Sequence, residues 1–337
     1  MPPDWARVLA VDAHTAGEPL RVVLDGFPGR PAGDDVLKWR REARDRHDGL
    51  RRALMWEPRG HADMYGCVVG TPVSDGADAS VLFTHNEGYS TMCGHGVIGV
   101  VTVLLECGLL ERVEPETTVV LDTPAGPVRA RAALEGGRVR GVAFESVPSF
   151  VLALDATVDV PGVGSVRYDL AYGGAFYAYV PASGFGLELV PAEIGRMIEL
   201  GRRIKAAVQA HAPPSHPEAE DLGFVYGTIF VGPAHGAGAH SRNVCVFADG
   251  EVDRSPTGTG VSGRLAIEHA RGALPSGVEL EIESVLGTRF GGRVLAEAAV
   301  GPHAAIVPEV SGRAFITGRN ELLIAPDDPL GEGFLLR

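Results

Sequence analysis

Cysteine is scarce in this chain, and what there is does not pair. Cys67, Cys93, Cys107 and Cys245 are too few for a disulfide scaffold and lack the spacing of a zinc site. The histidines add no ligand pattern. Neither His61 with Asp63 nor His235 with His240 has a recognised metal spacing, so no metal is expected. Positive charge is also short. A net charge of −13 argues against nucleic acid and against an anionic membrane as partners. It does not exclude a small anion, because backbone N–H groups at a helix start hold a carboxylate without a basic patch. No apolar run reaches bilayer length: the most apolar, Val97 to Leu105, is far too short and is followed by Glu106. The N-terminal stretch Met1-Pro2-Pro3-Asp4-Trp5-Ala6-Arg7 lacks the basic-then-apolar order of a signal peptide. These absences point to a reduced, cytoplasmic protein.

What is present is a globular composition, 45% hydrophobic and 22% charged, in 337 residues. That length suits about two domains, with roughly three quarters of the unfolded surface buried. Two short stretches are copies of each other. Cys93-Gly94-His95-Gly96-Val97-Ile98-Gly99 matches Thr257-Gly258-Thr259-Gly260-Val261-Ser262-Gly263. The same offset carries Phe83 onto Phe247, Gly108 onto Gly272 and Leu110 onto Leu274.

The duplication runs through both halves. Each begins with an extended stretch ending in Asp, Val8 to Asp12 and Ser165 to Asp169. A Gly-containing turn and a second strand-like run follow, Leu20 to Leu24 and Phe176 to Val180. Next come helix-prone segments, Asp34 to Leu54 and Pro191 to Val208, then short strands at Val81 to Phe83 and Val244 to Phe247. Each Gly-rich turn opens a helix that should stop near Gly108 or Gly272. Strands are expected again around Val119 to Asp122 and Leu280 to Glu283. The reading is an α/β fold of two pseudo-symmetric halves, residues 1–150 and 151–315, with the seam near Pro148 to Pro161. A C-terminal segment, 316–337, packs back on either half. Because Val97 to Leu105 is apolar on every side, that helix should be buried all round, as a sheet curled around a central helix would achieve.

At the helix starts one half presents a thiol and the other a hydroxyl. The unpaired N–H groups there carry partial positive charge, in which a thiol ionises more readily and can accept a proton. Gly94 and Gly96 allow backbone to approach a bound carboxylate. The bland reading is that Cys93 is a small buried hydrophobe. Both turns also fit G-x-G-x-x-G, with Asp122 and Glu283 near the acidic position, but no strand leads directly into the first glycine, so nucleotide is not expected. Pro256 suits the first helical turn behind a Ser255 cap. Asp253 either complements the helix dipole or pairs with a substrate ammonium. His95 either acts as an acid or donor beside Cys93 or bonds to backbone.

Five stretches together resemble the proline racemase family. They are Asp12-Ala13-His14-Thr15-Ala16-Gly17-Glu18-Pro19, Glu57-Pro58-Arg59-Gly60-His61, Asp63-Met64-Tyr65-Gly66, Met92-Cys93-Gly94-His95-Gly96 and Asp253-Arg254-Ser255-Pro256-Thr257-Gly258-Thr259-Gly260. The resemblance implies a fold similar to diaminopimelate epimerase, no cofactor, and a site between two halves. In that family's racemases and epimerases, one cysteine works on each face of the substrate α-carbon. Here Thr257 replaces the second. A Cys with a Thr, and His85-Asn86-Glu87-Gly88-Tyr89-Ser90 before the thiol, resemble the branch that dehydrates trans-3-hydroxy-L-proline. The implied roles are Cys93 and Thr257 as catalytic residues, and Gly94, His95, Asp253, Gly258, Thr259, Tyr65 and Phe247 as contacts to an amino-acid substrate. The alternative is a hydroxyproline 2-epimerase or proline racemase, with water relayed by Thr257. A non-catalytic binder of proline-like ligands is a third reading. A homodimer is left open.

Overall fold

The computed structural model describes residues 2–31, 33 and 35–336. They form two compact units, Met1–Phe144 with Arg313–Arg337, and Glu145–Gly312.

The first unit begins with strands β1 (Ala6–Thr15) and β2 (Glu18–Asp25), then helices α1 (Val36–Arg46) and α2 (Asp48–Met55). Strands β3 (Tyr65–Gly70), β4 (Ala79–His85) and β5 (Gly88–Ser90) lead to helix α3 (Gly94–Glu106), and β6 (Glu116–Thr123), β7 (Gly126–Glu135) and β8 (Arg138–Glu145) follow. In the second unit β9 (Ser149–Val160), β10 (Gly164–Tyr172) and β11 (Phe176–Pro181) precede α4 (Ile194–His211). Then come β12 (Val225–Gly232), β13 (Ser241–Phe247), β14 (Glu251–Val252), α5 (Gly258–Ala270), β15 (Glu279–Glu283), β16 (Arg289–Val300) and β17 (His303–Gly312). The last strand, β18 (Ala314–Ile324), returns to the first unit and pairs antiparallel with β1 along its length.

The repeat is visible in strand sense. In the first unit β1–β2 is antiparallel, β2–β3 parallel, β3–β4 antiparallel, β4–β6 parallel, and β6–β7–β8 antiparallel. In the second, β10–β11, β11–β12, β12–β13, β13–β15 and β15–β16–β17 repeat that succession. The second sheet then closes on itself, because β17 pairs with β9 through Ala305–Phe150 and Ile306–Ser149.

Each sheet curls around its Gly-started helix. Every residue of α3 from Gly94 to Leu105 is buried, as an all-round apolar helix requires. It packs on β1, β2, β3, β7 and β18. Helix α5 packs on β9, β10, β11, β16 and β17. Both helices stop at a left-handed glycine, Gly108 (φ +71) and Gly272 (φ +70). The fold class is therefore the expected one, a curled sheet around a central helix in each half.

Local boundaries differ in instructive places. The helix-prone run before Leu54 is two helices, because His47 leaves helical geometry and Asp48 restarts the chain with its carboxylate on Arg51 and Arg52. Its expected start, Asp34, lies outside the described residues, as do Met1 and Arg337. Pro191–Glu193 forms a short 3₁₀ turn before α4.

Gly99 shows how tightly α3 is held. A methyl group there would lie 2.5 Å from Leu20 Cδ2 and 3.1 Å from Thr15 Oγ1. Gly99→Ala gains about 1 kcal/mol in helix propensity. Leu20 and Thr15 are both fully buried, so their shift disturbs the core, and overpacking costs about 1–3 kcal/mol. Urea denaturation of this variant is expected to show a net loss of stability; a gain would mean that α3 is loosely packed.

Candidate active site

Cys93 is the N-cap of α3, in extended backbone (φ −147, ψ 111). Its Sγ accepts the Gly96 N–H at 3.3 Å, so the sulfur meets one of the helix's unpaired donors. That N–H and the helix dipole both favour negative charge on sulfur. The His95 imidazole stands beside it, with Nδ1 3.2 Å from Sγ. Of the two readings of His95, the ring faces the thiol; its backbone carbonyl accepts the Thr15 hydroxyl at 2.9 Å. Gly96 is required by close approach: a Cβ would fall 2.8 Å from the Phe83 ring and 3.0 Å from Cys93 Sγ. Burial pushes the thiol of Cys67 up, which marks it as inert core.

Tyr65 joins this group. Its ring meets His95 edge-on at 4.8 Å and stacks on His85 at 5.7 Å, while its hydroxyl shares a 2.5 Å hydrogen bond with Ser90 Oγ. The hairpin that carries His85 is fixed from below. Arg51 Nη1 donates to the His85 carbonyl at 2.7 Å and to the Asn86 carbonyl at 2.5 Å. Asn86 Nδ2 donates to the carbonyls of Met55 and His61, and Asn86 Oδ1 accepts from Met64 N. Arg21 donates twice to Asp12 at 2.9 Å and also to the Leu54 and Arg59 carbonyls. The Asp12 and Glu57–His61 stretches are thus tied into one frame with the hairpin that carries His85.

In the second unit Thr257 is the N-cap of α5, and the backbone is different. Thr257 has φ +68 and ψ 100, a left-handed conformation that a β-branched residue seldom adopts. Its side chain caps nothing, and Oγ1 is buried without a hydrogen-bond partner. The expected Ser255 cap is corrected here. The helix starts at Gly258, so Pro256 precedes it, and Ser255 Oγ accepts the Thr257 N–H at 3.1 Å. Asp253 Oδ1 accepts the Ser255 N–H at 2.7 Å, so one carboxylate oxygen is committed to the loop. Thr259 Oγ1 shares a 2.8 Å hydrogen bond with the buried Tyr177 hydroxyl. Phe247, on β13, stacks on Tyr226 at 5.5 Å.

Cys93, Gly94, His95 and Tyr65 therefore gather in the first unit, while Asp253, Thr257, Gly258 and Thr259 share one turn of the second. Tyr177 and Arg51 were not foreseen, since nothing in periodicity separates a buried tyrosine or arginine from its core neighbours. Among the described residues no three His, Cys, Asp or Glu side chains are grouped as a metal site needs, and no helix is long and apolar enough to cross a membrane.

Residues 10–335 match the family model for proline racemase. A trans-3-hydroxy-L-proline dehydratase of Colwellia psychrerythraea is 45% identical over 99% of this chain and 94% of its own. A 3-hydroxyproline 2-epimerase of Burkholderia multivorans is 46% identical over 97% of each. In structure, a hydroxyproline epimerase from Agrobacterium vitis, solved with bound trans-4-hydroxy-L-proline, superposes with a TM-score of 0.91 at 34% identity, covering 100% of this chain and 97% of that one. The chain belongs to the proline racemase family.

The left-handed Thr257 carries a measurable consequence. Thr257→Gly removes about 1–3 kcal/mol of backbone strain. It also removes an orphan hydroxyl worth on the order of 1 kcal/mol. Against these stand about 1 kcal/mol of added chain entropy and about 1.6 kcal/mol for the two lost side-chain carbons. Urea unfolding of the variant is expected to show stability within about 1 kcal/mol of the parent, because released strain offsets the lost packing, whereas a drop of about 2 kcal/mol would show Thr257 to be unstrained.

Proposed function

We propose that the protein dehydrates trans-3-hydroxy-L-proline to Δ1-pyrroline-2-carboxylate. The observation that carries this reading is the inequality of the two helix starts. One holds a thiol beside an imidazole at 3.2 Å, and the other a buried hydroxyl with no partner. A thiol can be made a base near neutral pH by a helix start and an imidazole. An alcohol cannot, so the second base that inversion of the α-carbon needs is missing.

The steps follow from those roles. The Cys93 sulfur takes the α-proton, and the electron pair left on the α-carbon expels the 3-hydroxyl, which leaves as water after accepting a proton. In the trans substrate the 3-hydroxyl lies on the same ring face as the α-proton, so His95, beside the sulfur, passes that proton on to the departing oxygen, and Thr257 offers no base on the opposite face. The enamine formed then tautomerises to the cyclic imine. N–H groups of Gly94, Gly258 and Thr259 are assigned to the carboxylate, whose charge grows as the α-proton leaves. The oxygen of Asp253 not used in its turn is assigned to the substrate ammonium, and Tyr65 and Phe247 to the ring. No cofactor enters this sequence, because the leaving hydroxyl takes the electron pair. The family relatives named for dehydration and for epimerisation are about equally similar to this chain, so overall identity does not separate the two activities. Thr257 does, since an epimerase needs a second base.

Incubation of the purified protein with trans-3-hydroxy-L-proline in D₂O tests the reading. The expected result is loss of substrate and appearance of the cyclic imine by mass; recovery of an inverted, α-labelled amino acid instead would assign the protein as an epimerase. Cys93→Ser is expected to lower the rate roughly 10²–10⁴-fold, the usual worth of a general base. Retention of full activity would remove the thiol from the chemistry.

A further inference from the structure

A short hairpin precedes each Gly-started helix, and both hairpins carry site residues. Strands β4 and β13 are each seven residues long and end at His85 and Phe247. Their second residues, Ser80 and Arg242, pair with the matching acids Asp122 and Glu283. Strand register therefore matches Phe247 with His85 rather than with Phe83, and Asn86 and Ala248 open the two turns. In the first unit Arg51, from α2, pins its turn by donating to the carbonyls of His85 and Asn86. In the second, the corresponding cation is Lys205, from α4, whose Nζ donates to the Ala248 carbonyl at 2.5 Å. Both halves thus place a helix-borne cation on the first carbonyl of the turn.

The choice of lysine is unusual here. Of 30 Lys and Arg residues, two are lysine, Lys38 and Lys205. An ammonium is a compact donor that suits a single carbonyl, whereas the fork of Arg51 spans two. Lys205 is half-buried, and burial pulls its pKa down, so its charge stands there at a desolvation cost. The turn it holds is strained as well. Ala248 has φ +44, a left-handed conformation that persists in a non-glycine residue only where neighbours impose it. The Ala248 N–H donates to the Tyr226 carbonyl at 3.2 Å, and the next residue, Asp249, pairs with Arg202 at 2.8 Å. That second pair is exposed and contributes little. The bond from Lys205 is the stronger tie between α4 and the turn.

Two residues assigned to the substrate flank this turn. Phe247 comes immediately before Ala248, and Asp253 follows β14, its N–H returning to the Cys245 carbonyl at 3.1 Å. From this geometry we infer that Lys205 is a positioning residue: its grip on the Ala248 carbonyl sets the β13–β14 hairpin, and through it the places of the Phe247 ring and the Asp253 carboxylate. The inference rests on the proposed substrate contacts of those two residues. Without the grip, Ala248 relaxes out of the left-handed region and the hairpin shifts with it. The loss falls on substrate binding, because Cys93 and His95 belong to the other hairpin's helix and still act on whatever is bound.

Lys205→Met keeps the aliphatic stem and drops the donor, and Lys205→Ala removes both; Lys38→Ala serves as the control. With trans-3-hydroxy-L-proline as substrate, KM of Lys205→Met is expected to rise roughly ten- to a hundredfold with kcat near that of the parent, the pattern of lost uniform binding. Lys205 lines an open cleft of about 720 Å³, so n-propylammonium, the fragment that Lys205→Ala lacks, has room to enter. Added to Lys205→Ala, it should lower KM again in a saturable way and leave the parent and Lys38→Ala unaffected. An unchanged KM in Lys205→Met overturns the inference, as does a raised KM in a folded Lys205→Ala that the amine does not restore. If Lys205→Ala loses its native circular dichroism, Lys205→Met decides the matter. If the parent forms no cyclic imine, the dehydration reading fails separately, and calorimetric binding of the same amino acid to the parent and Lys205→Met still decides this one: weaker binding in the variant supports it and equal binding overturns it.

Discussion

A helix that opens inside a curled sheet has N–H groups that water does not reach, and something must meet them. That constraint organises both units. It asks for glycines at the first turn, where backbone, ring and ligand all come close, and for apolar side chains along the rest of the buried helix. It also makes the N-cap residue the point where chemistry is decided. In α3 a sulfur answers the Gly96 N–H, and in α5 the Thr257 hydroxyl answers nothing.

In the unit that carries the thiol, several buried or half-buried polar residues are used up inside the protein. Arg51, Asn86, Arg21 and Asp12 spend their donors and acceptors on carbonyls, amides and one another. Buried guanidinium and carboxamide groups stay buried only when so satisfied. Their work is rigidity. They hold the His85 hairpin, the hairpin holds the His85 ring against Tyr65, and Tyr65 limits where the His95 imidazole can turn. A base within hydrogen-bond reach of sulfur depends on that chain of contacts.

Much of this was legible in the sequence because it obeys short-range rules. The repeat showed in matched glycines, the burial of α3 in residues apolar on every face, and the helix ends in Gly108 and Gly272. The thiol and hydroxyl were found because they break an otherwise close pairing of types. What escaped depends on distant partners. The β7–β8 and β16–β17 meanders have the alternation of any half-buried strand, and their pairing is set by neighbours far along the chain. The position of the α5 start escaped for a different reason. Ser-Pro reads as a cap and first helical turn, but Ser255 bonds to the Thr257 N–H instead, so the helix begins two residues later. No local propensity favours Thr at positive φ.

The return of β18 to lie against β1 orders events on the ribosome. The second sheet is a continuous piece of chain and can close through β9 and β17 as soon as Gly312 has emerged. The first, though begun earlier, lacks its β18 edge until Ile324 has followed. The half that carries the sulfur is thus completed last, after the half that carries the alcohol.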